Sequence, residues 1–203
     1  MIKRGERKNK LLLHSCCAPC SSAVIERLKN DYEVVLHFYN PNIMPVFEYE
    51  KRLFEQRRLA MLLNNVGIIE GGYDNEAFTE AVRGLENEPE GGGRCERCIE
   101  LRLRKTAETA RKQGFDCFTT TLSVSPHKNA ELINRILRNA GAFYGIEPLC
   151  GDFKKKDGYK RSIELSKLYG LYRQNYCGCR PAASTIPRQG GYENSFLVKT
   201  PII

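Results

Sequence analysis

Three short stretches of the sequence, LHSCCAPC, CERC and CGC, hold seven of its nine cysteines. We call Cys16, Cys17 and Cys20 the first group, Cys95 and Cys98 the second group, and Cys177 and Cys179 the third group. Thiolates grouped in this way bind zinc or iron–sulfur clusters, or they work as redox-active pairs. The odd number of cysteines argues against a fully paired disulfide framework. The sequence therefore predicts metal-binding or redox chemistry.

The grouped thiols outnumber the ligands that one metal centre needs. A structural zinc site or an iron–sulfur cluster takes four thiolates, and the two CxxC motifs of the first and second groups would supply them. Such a site would leave Cys16 and the third group without a function. The surplus indicates a cluster together with either a second metal or a redox-active pair.

The remaining cysteines have simpler interpretations. Cys117 falls inside an apolar run and is expected to pack in the core, and Cys150 borders a glycine turn, where a structural role is favoured. The CAPC motif taken alone resembles a thioredoxin-like dithiol. The cysteines around it weigh against that interpretation, although a dithiol oxidoreductase that uses Cys17 and Cys20 stays an alternative.

The composition points to a polyanionic partner. The formal net charge is +8, and basic residues cluster at 3–10, 102–105 and 154–161. Each cluster alone is most simply a solvated surface, but the three together favour a nucleic acid as the partner. No apolar run approaches the roughly 20 residues of a membrane span, and the LLL before His14 is too short for a signal peptide. We therefore predict a cytoplasmic protein with no membrane partner.

Short apolar runs alternate with longer amphipathic segments, a pattern that predicts an α/β fold with a mostly parallel sheet and flanking helices. The predicted strands are 10–14, 33–39, 66–71, 115–122 and 143–149. The predicted helices are 21–30, 45–65, 75–85, 96–113, 127–141 and 159–169, the first capped by Ser21 or Ser22 and the fifth ending at Gly141. We interpret the irregular stretch 86–95 as a loop. One catalytic domain over 11–180 follows, with a basic tail at 1–10 and a C-terminal tail at 181–203.

The predicted topology places the cysteines near one another. Ligands of open parallel sheets collect at the carboxyl ends of the strands, where helix N-termini also point. The first group follows the first strand directly, and the second group begins the helix that leads to the fourth strand. We expect Asp116 and Asp152 near the same rim as further ligands, and His14 as either an acid or a packed residue. The segment LYRQNY must carry the third group back to this rim.

Several motifs occur together in a fixed order along the chain. They are LLLHSCCAPC, YNPNIMPVFEYEKR, RCERCIELRLRKTA, FDCFTTTLSVSPHK, DFKKKDGYKRSIELS and LYRQNYCGC. As a set they resemble the QueH-type (cobalamin-independent) epoxyqueuosine reductase family over about residues 11–180. The combined set is far more specific than any single CxxC motif.

The resemblance implies a Rossmann-like domain of the HUP type, which agrees with the alternating pattern. It also implies the last step of queuosine biosynthesis, in which the epoxide of epoxyqueuosine in the anticodon of a tRNA is reduced to the cyclopentene. The implied cofactor is a [4Fe–4S] cluster, without cobalamin. Removing the epoxide oxygen as water takes two electrons and two protons, and a cluster delivers one electron at a time, so an external electron donor is implied.

We expect two iron centres among the seven thiols. The residues assigned to the cluster are Cys95, Cys98, Cys177 and one of the first group, for which we choose Cys17. The residues assigned to catalysis and to an additional mononuclear iron are Cys16, Cys179, Asp116 and Asp152. Such an iron, with an open position, would bind the epoxide oxygen as a Lewis acid. The division within the first group, Cys20 included, is left open by the sequence.

The resemblance implies a function for one of the basic stretches. Its residues are Lys154, Lys155, Lys156, Lys160 and Arg161, and we expect them to contact the backbone of the anticodon stem-loop. Binding of tRNA would then depend steeply on salt.

Two alternatives come from other functional classes. A tRNA-thiolating or adenylating enzyme of the HUP class needs a phosphate loop rich in glycine and serine after the first strand, where this chain has SCCAPCSS. A non-enzymatic zinc module that binds nucleic acid predicts stoichiometric zinc, no visible absorption and no turnover. The sequence after the first strand argues against the first alternative, and metal content tests the second.

Overall fold

Five parallel strands form the centre of the structure, a computed structural model that describes residues 8–64 and 66–179. The strands are β1 (Asn9–His14), β2 (Tyr32–Phe38), β3 (Gly67–Glu70), β4 (Cys117–Thr120) and β5 (Glu147–Pro148). Their order across the sheet is β3-β2-β1-β4-β5, and every neighbouring pair is parallel. This order confirms the predicted α/β class and its Rossmann-like character. It also puts the topological switch point between β1 and β4.

Six helices connect and cover the strands. They are α1 (Ala18–Leu28), α2 (Val46–Leu62), α3 (Asn75–Ala81), α4 (Gly93–Lys112), α5 (Ala130–Tyr144) and α6 (Gly158–Leu168). Helix α1 contacts α2 and α6, whereas α4 contacts α3 and α5. Among the described residues, no helix has the length and apolar character needed to cross a membrane.

The three leucines of β1 pack on both faces of the sheet, which explains their unbroken apolar run. Leu11 and Leu13 belong to the core cluster that contains α1 residues, and Leu12 belongs to the cluster that contains α4 and α5 residues. All three are fully buried. Each buried leucine contributes roughly 1.5–3 kcal/mol to the stability of the fold relative to an exposed one. Core packing therefore fixes the strand that leads into the first cysteine group.

The first helix begins earlier than predicted. Its N-cap residue is Cys17, and Pro19 lies in the first turn, a position that proline favours. Ser21 is already inside the helix, where its hydroxyl donates a hydrogen bond of 2.9 Å to the carbonyl oxygen of Cys17. The prediction of Ser21 or Ser22 as the N-cap was wrong, and the first cysteine group forms the helix start itself.

The fifth helix does not stop at Gly141. It continues to Tyr144, and Gly145 ends it in a left-handed conformation with φ of 65°. Gly141 serves close packing instead, because a Cβ atom there would lie 2.7 Å from the carbonyl oxygen of Ile146. The predicted strand 143–149 is accordingly reduced to the two residues of β5.

Candidate metal and substrate site

The first cysteine group occupies the turn between β1 and α1, at the carboxyl edge of the central strand. The Sγ atoms of Cys16, Cys17 and Cys20 all lie within 4.8 Å of one another, and those of Cys16 and Cys17 are 3.9 Å apart. Sulfur atoms that share one tetrahedral metal at a bond length near 2.3 Å lie roughly 4 Å apart. The first group therefore has the spacing of ligands for a single metal ion.

The thiols of the first group share their protons. Hydrogen bonds from Cys17 and Cys20 hold the pKa of Cys16 well below its ordinary value, and the charge of Arg102 acts in the same direction. The hydrogen bond with Cys16 raises the pKa of Cys17 to about 12, and hydrogen bonds with Cys16 and Cys17 raise the pKa of Cys20. One thiolate, best assigned to Cys16, is thus stabilised by two neighbouring thiols, and the three titrate as a unit.

The end of β4 contributes a hydroxyl beside Cys16. Thr121 follows β4 directly, and its Oγ1 lies 3.6 Å from the Cys16 Sγ and 3.5 Å from the Cys16 backbone nitrogen. This contact joins the ends of β1 and β4 across the switch point. Thr121 therefore places a hydroxyl beside the first cysteine group.

The second group lies in the first two turns of α4, which begins at Gly93 rather than at residue 96. Cys95 and Cys98 are both buried, and the Cys95 Sγ accepts a hydrogen bond from the Gly91 N–H at 3.3 Å. Burial raises the pKa of the Cys98 thiol. The charge of Arg102 opposes that effect.

The third group is carried to this rim by contacts with the start of α2. The Met44 N–H donates to the Gly178 carbonyl at 2.8 Å, and the Arg52 guanidinium donates to the Cys177 carbonyl at 2.9 Å. Arg52 is itself held by Glu48 at 2.7 Å, with both side chains buried. These bonds provide the return path that the sequence left open.

Two cavities meet at the cysteines. The smaller, of about 10 Å³, is lined by the second and third groups. The larger, of about 560 Å³, is lined by the first group and by Cys177. Cys177 therefore faces both cavities, and a hydrogen bond from Cys179 lowers its pKa to about 5, with Lys128 and Arg102 also favouring the thiolate. The structure thus brings all seven predicted thiols to one rim.

Arg102 lies between the two cavities and lines both of them. Its side chain is 2 % exposed, its Nε donates to the Cys98 carbonyl at 3.2 Å, and its Nη1 lies 3.5 Å from the Asn40 Oδ1. Arg102 belongs to a basic cluster that was expected at the surface, but the structure buries its side chain. Its position four residues after Cys98, on the same face of α4, was the signal that could have found it.

The larger cavity has the volume of a small-molecule site. Among the residues lining it are Asn42, His127, Lys128, Tyr159, Arg173 and Gln174. The buried amide oxygens Asn42 Oδ1 and Gln174 Oε1 have no hydrogen-bond partner in the described part of the chain. Asn42 and Gln174 were not predicted from the sequence, because an amide in a loop carries no spacing signal. The cavity lining offers polar side chains and an aromatic residue to a ligand.

The two carboxylates predicted as ligands at the rim do not line either cavity. Asp116 precedes β4, at the amino edge of the sheet, and its Oδ2 accepts a hydrogen bond from the Lys10 N–H at 2.7 Å. The expectation that it lies beside the thiols was wrong, because a residue entering a parallel strand is a full strand length from the carboxyl edge. Asp152 forms an ion pair with Lys154 at 3.1 Å. Neither residue is among those lining the two cavities.

His14 is a packed residue. It is fully buried, its Nε2 donates to the Tyr39 carbonyl at 3.2 Å, and its Nδ1 then accepts from the Thr120 hydroxyl at 2.9 Å. Burial, together with the charge of Arg102, lowers its pKa to about 3. With both nitrogens engaged, His14 fixes the ends of β1 and β4 rather than offering a free ligand.

The two ungrouped cysteines lie apart from the cavities. Cys117 is buried in the core cluster of β1 and α1, as expected. Cys150 is exposed, and its Sγ lies 3.9 Å from the Arg138 Nη1. Neither lines a cavity with the other seven.

The basic stretch at 154–161 divides into paired and unpaired residues. Lys154 is paired with Asp152, and Arg161 is paired with Glu26 at 2.8 Å. Lys155, Lys156 and Lys160 are exposed, and none of them forms an ion pair with a described residue. They flank Tyr159, which lines the larger cavity.

A Rossmann-like domain with two adjoining cavities lined by three cysteine groups at its switch point defines a thiol-rich class of candidate metal proteins. Within that class, the chain belongs to the epoxyqueuosine reductase QueH family, whose model matches residues 11–184. This match confirms the resemblance read from the motifs.

Curated relatives with the name epoxyqueuosine reductase QueH are similar over most of the chain. The protein from Streptococcus pyogenes serotype M1 is 42% identical over 191 residues, which cover 90% of this chain and 75% of the relative. The protein from Staphylococcus epidermidis is 43% identical, with 88% and 78% covered. The protein from Thermotoga maritima is 39% identical, with 83% and 88% covered.

Proposed function

We propose that this chain reduces epoxyqueuosine in tRNA to queuosine, a two-electron deoxygenation that needs an external electron donor. The observation that carries the proposal is the convergence of seven thiols beside a cavity of about 560 Å³ in a member of the QueH family. All nine cysteines are free thiols, which suits a reducing compartment, and we therefore place the enzyme in the cytoplasm.

The donor set fits iron. Thiolates are soft ligands, and they select iron–sulfur clusters or zinc over hard cations. The lining of the smaller cavity favours Cys95, Cys98, Cys177 and Cys179 as the ligands of a [4Fe–4S] cluster. The tight spacing of the first group favours a mononuclear iron held by Cys16, Cys17 and Cys20. This arrangement differs from the sequence-based hypothesis in exchanging Cys17 and Cys179, and it uses neither Asp116 nor Asp152.

When bound, these centres supply single electrons and a Lewis acid for the epoxide oxygen. The residues of the chain position the substrate for that chemistry. The amide oxygens of Asn42 and Gln174 accept hydrogen bonds from donors on the substrate, and the buried ion pair of Arg52 with Glu48 holds the cavity wall at residues 176–178. Lys128, whose side chain is 12% exposed, is a proton donor within the cavity wall.

The substrate base is part of tRNA, a large polyanion, and the residues at the cavity mouth suit a ligand of that kind. Tyr159 presents an aromatic ring at the cavity, in the same turn as Lys160 and close in sequence to Lys155 and Lys156. Aromatic rings stack on bases that have left the helix, and lysines contact the phosphates around them. The start of α6 is therefore the proposed contact with the anticodon stem-loop.

Anaerobic reconstitution with iron and sulfide tests the proposal. We expect an excess of iron over sulfide, near five to four per chain for one [4Fe–4S] cluster and one iron, together with visible absorption. The loaded protein, given a chemical reductant, should convert epoxyqueuosine in tRNA to queuosine. Stoichiometric zinc without sulfide and without turnover would contradict the proposal and favour the zinc-dependent RNA-binding alternative.

Two serine variants test the division of the thiols. We expect Cys179→Ser to lose sulfide and the visible spectrum, and Cys17→Ser to keep the sulfide and lose about one iron per chain. The reverse result would restore Cys17 as the cluster ligand. Cys150→Ser is the matched control, because this exposed thiol lies outside both cavities.

A further inference from the structure

Arg102 is a buried cation with no carboxylate partner. Its side chain is 2% exposed, and no aspartate or glutamate of residues 8–64 and 66–179 lies within ion-pair distance of it. Arg52 provides the contrast, because it is equally buried but pairs with Glu48 at 2.7 Å. A charge removed from water without a counter-charge is strongly destabilising, so a buried arginine left unpaired by carboxylates needs another anion.

The groups that line the two cavities together with Arg102 include thiols of all three cysteine groups. Burial opposes its charge, yet its pKa lies above the ordinary value, because thiols from all three cysteine groups act on it. These thiols are Cys98, Cys177, Cys16 and Cys179. Its Nε bonds to the backbone of Cys98, which fixes the guanidinium at the boundary of the two cavities. Lys128 is the other cation that lines both cavities, and it lies near Glu90 at 3.7 Å.

We propose that Arg102 is the fixed counter-charge of the thiolate-bound metal at this rim and sets its reduction potential. The inference rests on the proposed function. Adding one electron to a centre, without making or breaking a bond, increases its negative charge, and a nearby buried cation stabilises the reduced form more than the oxidised form. Arg102 therefore makes the centre easier to reduce. It acts through the metal ligands and is a positioning residue.

Three variants test this role in the anaerobically loaded protein. Arg102→Met removes the charge and keeps most of the apolar volume, Arg102→Lys keeps the charge, and Arg57→Met is the control. Arg57 is an exposed arginine of α2 that pairs with Glu70. The readouts are iron and sulfide per chain, the midpoint potential from a redox titration followed by EPR, and the unfolding temperature of the metal-free protein.

We expect Arg102→Met to shift the midpoint potential to a more negative value, Arg102→Lys to lie between it and the wild type, and Arg57→Met to match the wild type. The unfolding temperature of the metal-free variants shows whether each of them is folded before it is loaded. If Arg102→Met loads no metal, loading by Arg102→Lys supports the role, and failure of both variants overturns it.

An unchanged potential in Arg102→Met, or an equal shift in Arg102→Lys, would also overturn the inference. A wild-type chain that takes up no iron and sulfide contradicts the proposed function itself. The wild-type measurement therefore separates the two failures.

Discussion

Two residues that line the larger cavity carry buried amide oxygens with no hydrogen-bond partner among the described residues. Asn42 Oδ1 and Gln174 Oε1 are buried and unpaired within the described part of the chain, and both residues line the cavity. A buried acceptor without a donor costs about 1–3 kcal/mol. The N–H groups of a guanine-like base, or the hydroxyls of a diol, would remove that cost. The oxygens are therefore poised for a ligand rich in donors.

Replacing Asn42 by alanine should weaken substrate binding. One lost hydrogen bond of about 1 kcal/mol raises KM for the tRNA substrate roughly five- to tenfold, with a smaller effect on kcat. The unfolding temperature of the free protein should not fall, since the lost oxygen had no partner. Steady-state kinetics and thermal unfolding measure both effects. Asn30→Ala, at an exposed position after α1, is the control, and an unchanged KM in Asn42→Ala would contradict the prediction.

Single residues were predictable where spacing carried the signal. The thiols were found because CxxC at a helix start has a defined geometry, whereas Arg102 was assigned to the surface because its charge hid its place on the buried face of α4. Asp116 could have been excluded from the strand direction alone. Residues such as Asn42, which act through an unsatisfied atom, are visible only once neighbouring elements have been placed.

Among the structural elements, the segment at 176–179 depends most on one glycine. Gly178 has φ of 96°, a conformation that other residues rarely adopt. A Cβ atom there would also lie 3.1 Å from the Arg52 guanidinium, the group that holds the Cys177 carbonyl. The third cysteine group therefore reaches the rim only through a turn that requires glycine and an arginine that packs against it.

Gly178→Ala should disturb the metal site more than the fold. The left-handed backbone costs about 1–2 kcal/mol for alanine, and relief of that strain would displace Cys177 and Cys179. We expect lower iron and sulfide per chain after reconstitution. Gly114→Ala is the matched control, since Gly114 has φ of 70° with open space around it, at the end of α4 far from the rim. Equal metal content in the two variants would contradict the prediction.

Hydrophobic periodicity predicted the helices and strands, but it did not predict the residues at which they begin and end. Helix α1 starts at the cysteines because Pro19 favours a first turn, a local signal that two serines obscured. Helix α5 passes through Gly141 because the packing of Ile146 and Pro148 needs the missing side chain, which is a tertiary cause. Boundaries set by local capping can be read from sequence, and boundaries set by packing cannot.

For the whole molecule, the alternation of strands and helices was enough to predict a parallel sheet and its ligand-binding edge. The path of residues 170–179 was not predictable, because it depends on contacts with α2, more than 100 residues earlier in the chain. The predicted single domain over 11–180 stays a prediction. The predicted C-terminal tail at 181–203 and residues 1–7 of the predicted basic tail lie outside the described residues. The end of the predicted basic tail, from Asn9, is already part of β1.

The formal net charge of +8 does not by itself place an RNA-binding surface. The proposed RNA contact rests instead on the residues beside the larger cavity. Lys155, Lys156 and Lys160 lie at the start of α6 beside the cavity residue Tyr159, and none forms an ion pair with another described residue. Three other lysines lie at the opposite ends of their helices, away from that edge: Lys29 at the C-cap of α1, Lys112 in the last turn of α4 and Lys167 in the last turn of α6.

Removing the three unpaired lysines should therefore weaken tRNA binding in a way that depends on salt. The triple variant Lys155→Ala, Lys156→Ala, Lys160→Ala should lower affinity and reduce the slope of log Kd against log salt by roughly two to three, because each lost phosphate contact releases about 0.7–0.9 fewer counterions. The control removes the same charge as Lys29→Ala, Lys112→Ala, Lys167→Ala. Equal slopes for the two triple variants would show that only net charge matters, and they would remove the start of α6 as the RNA contact.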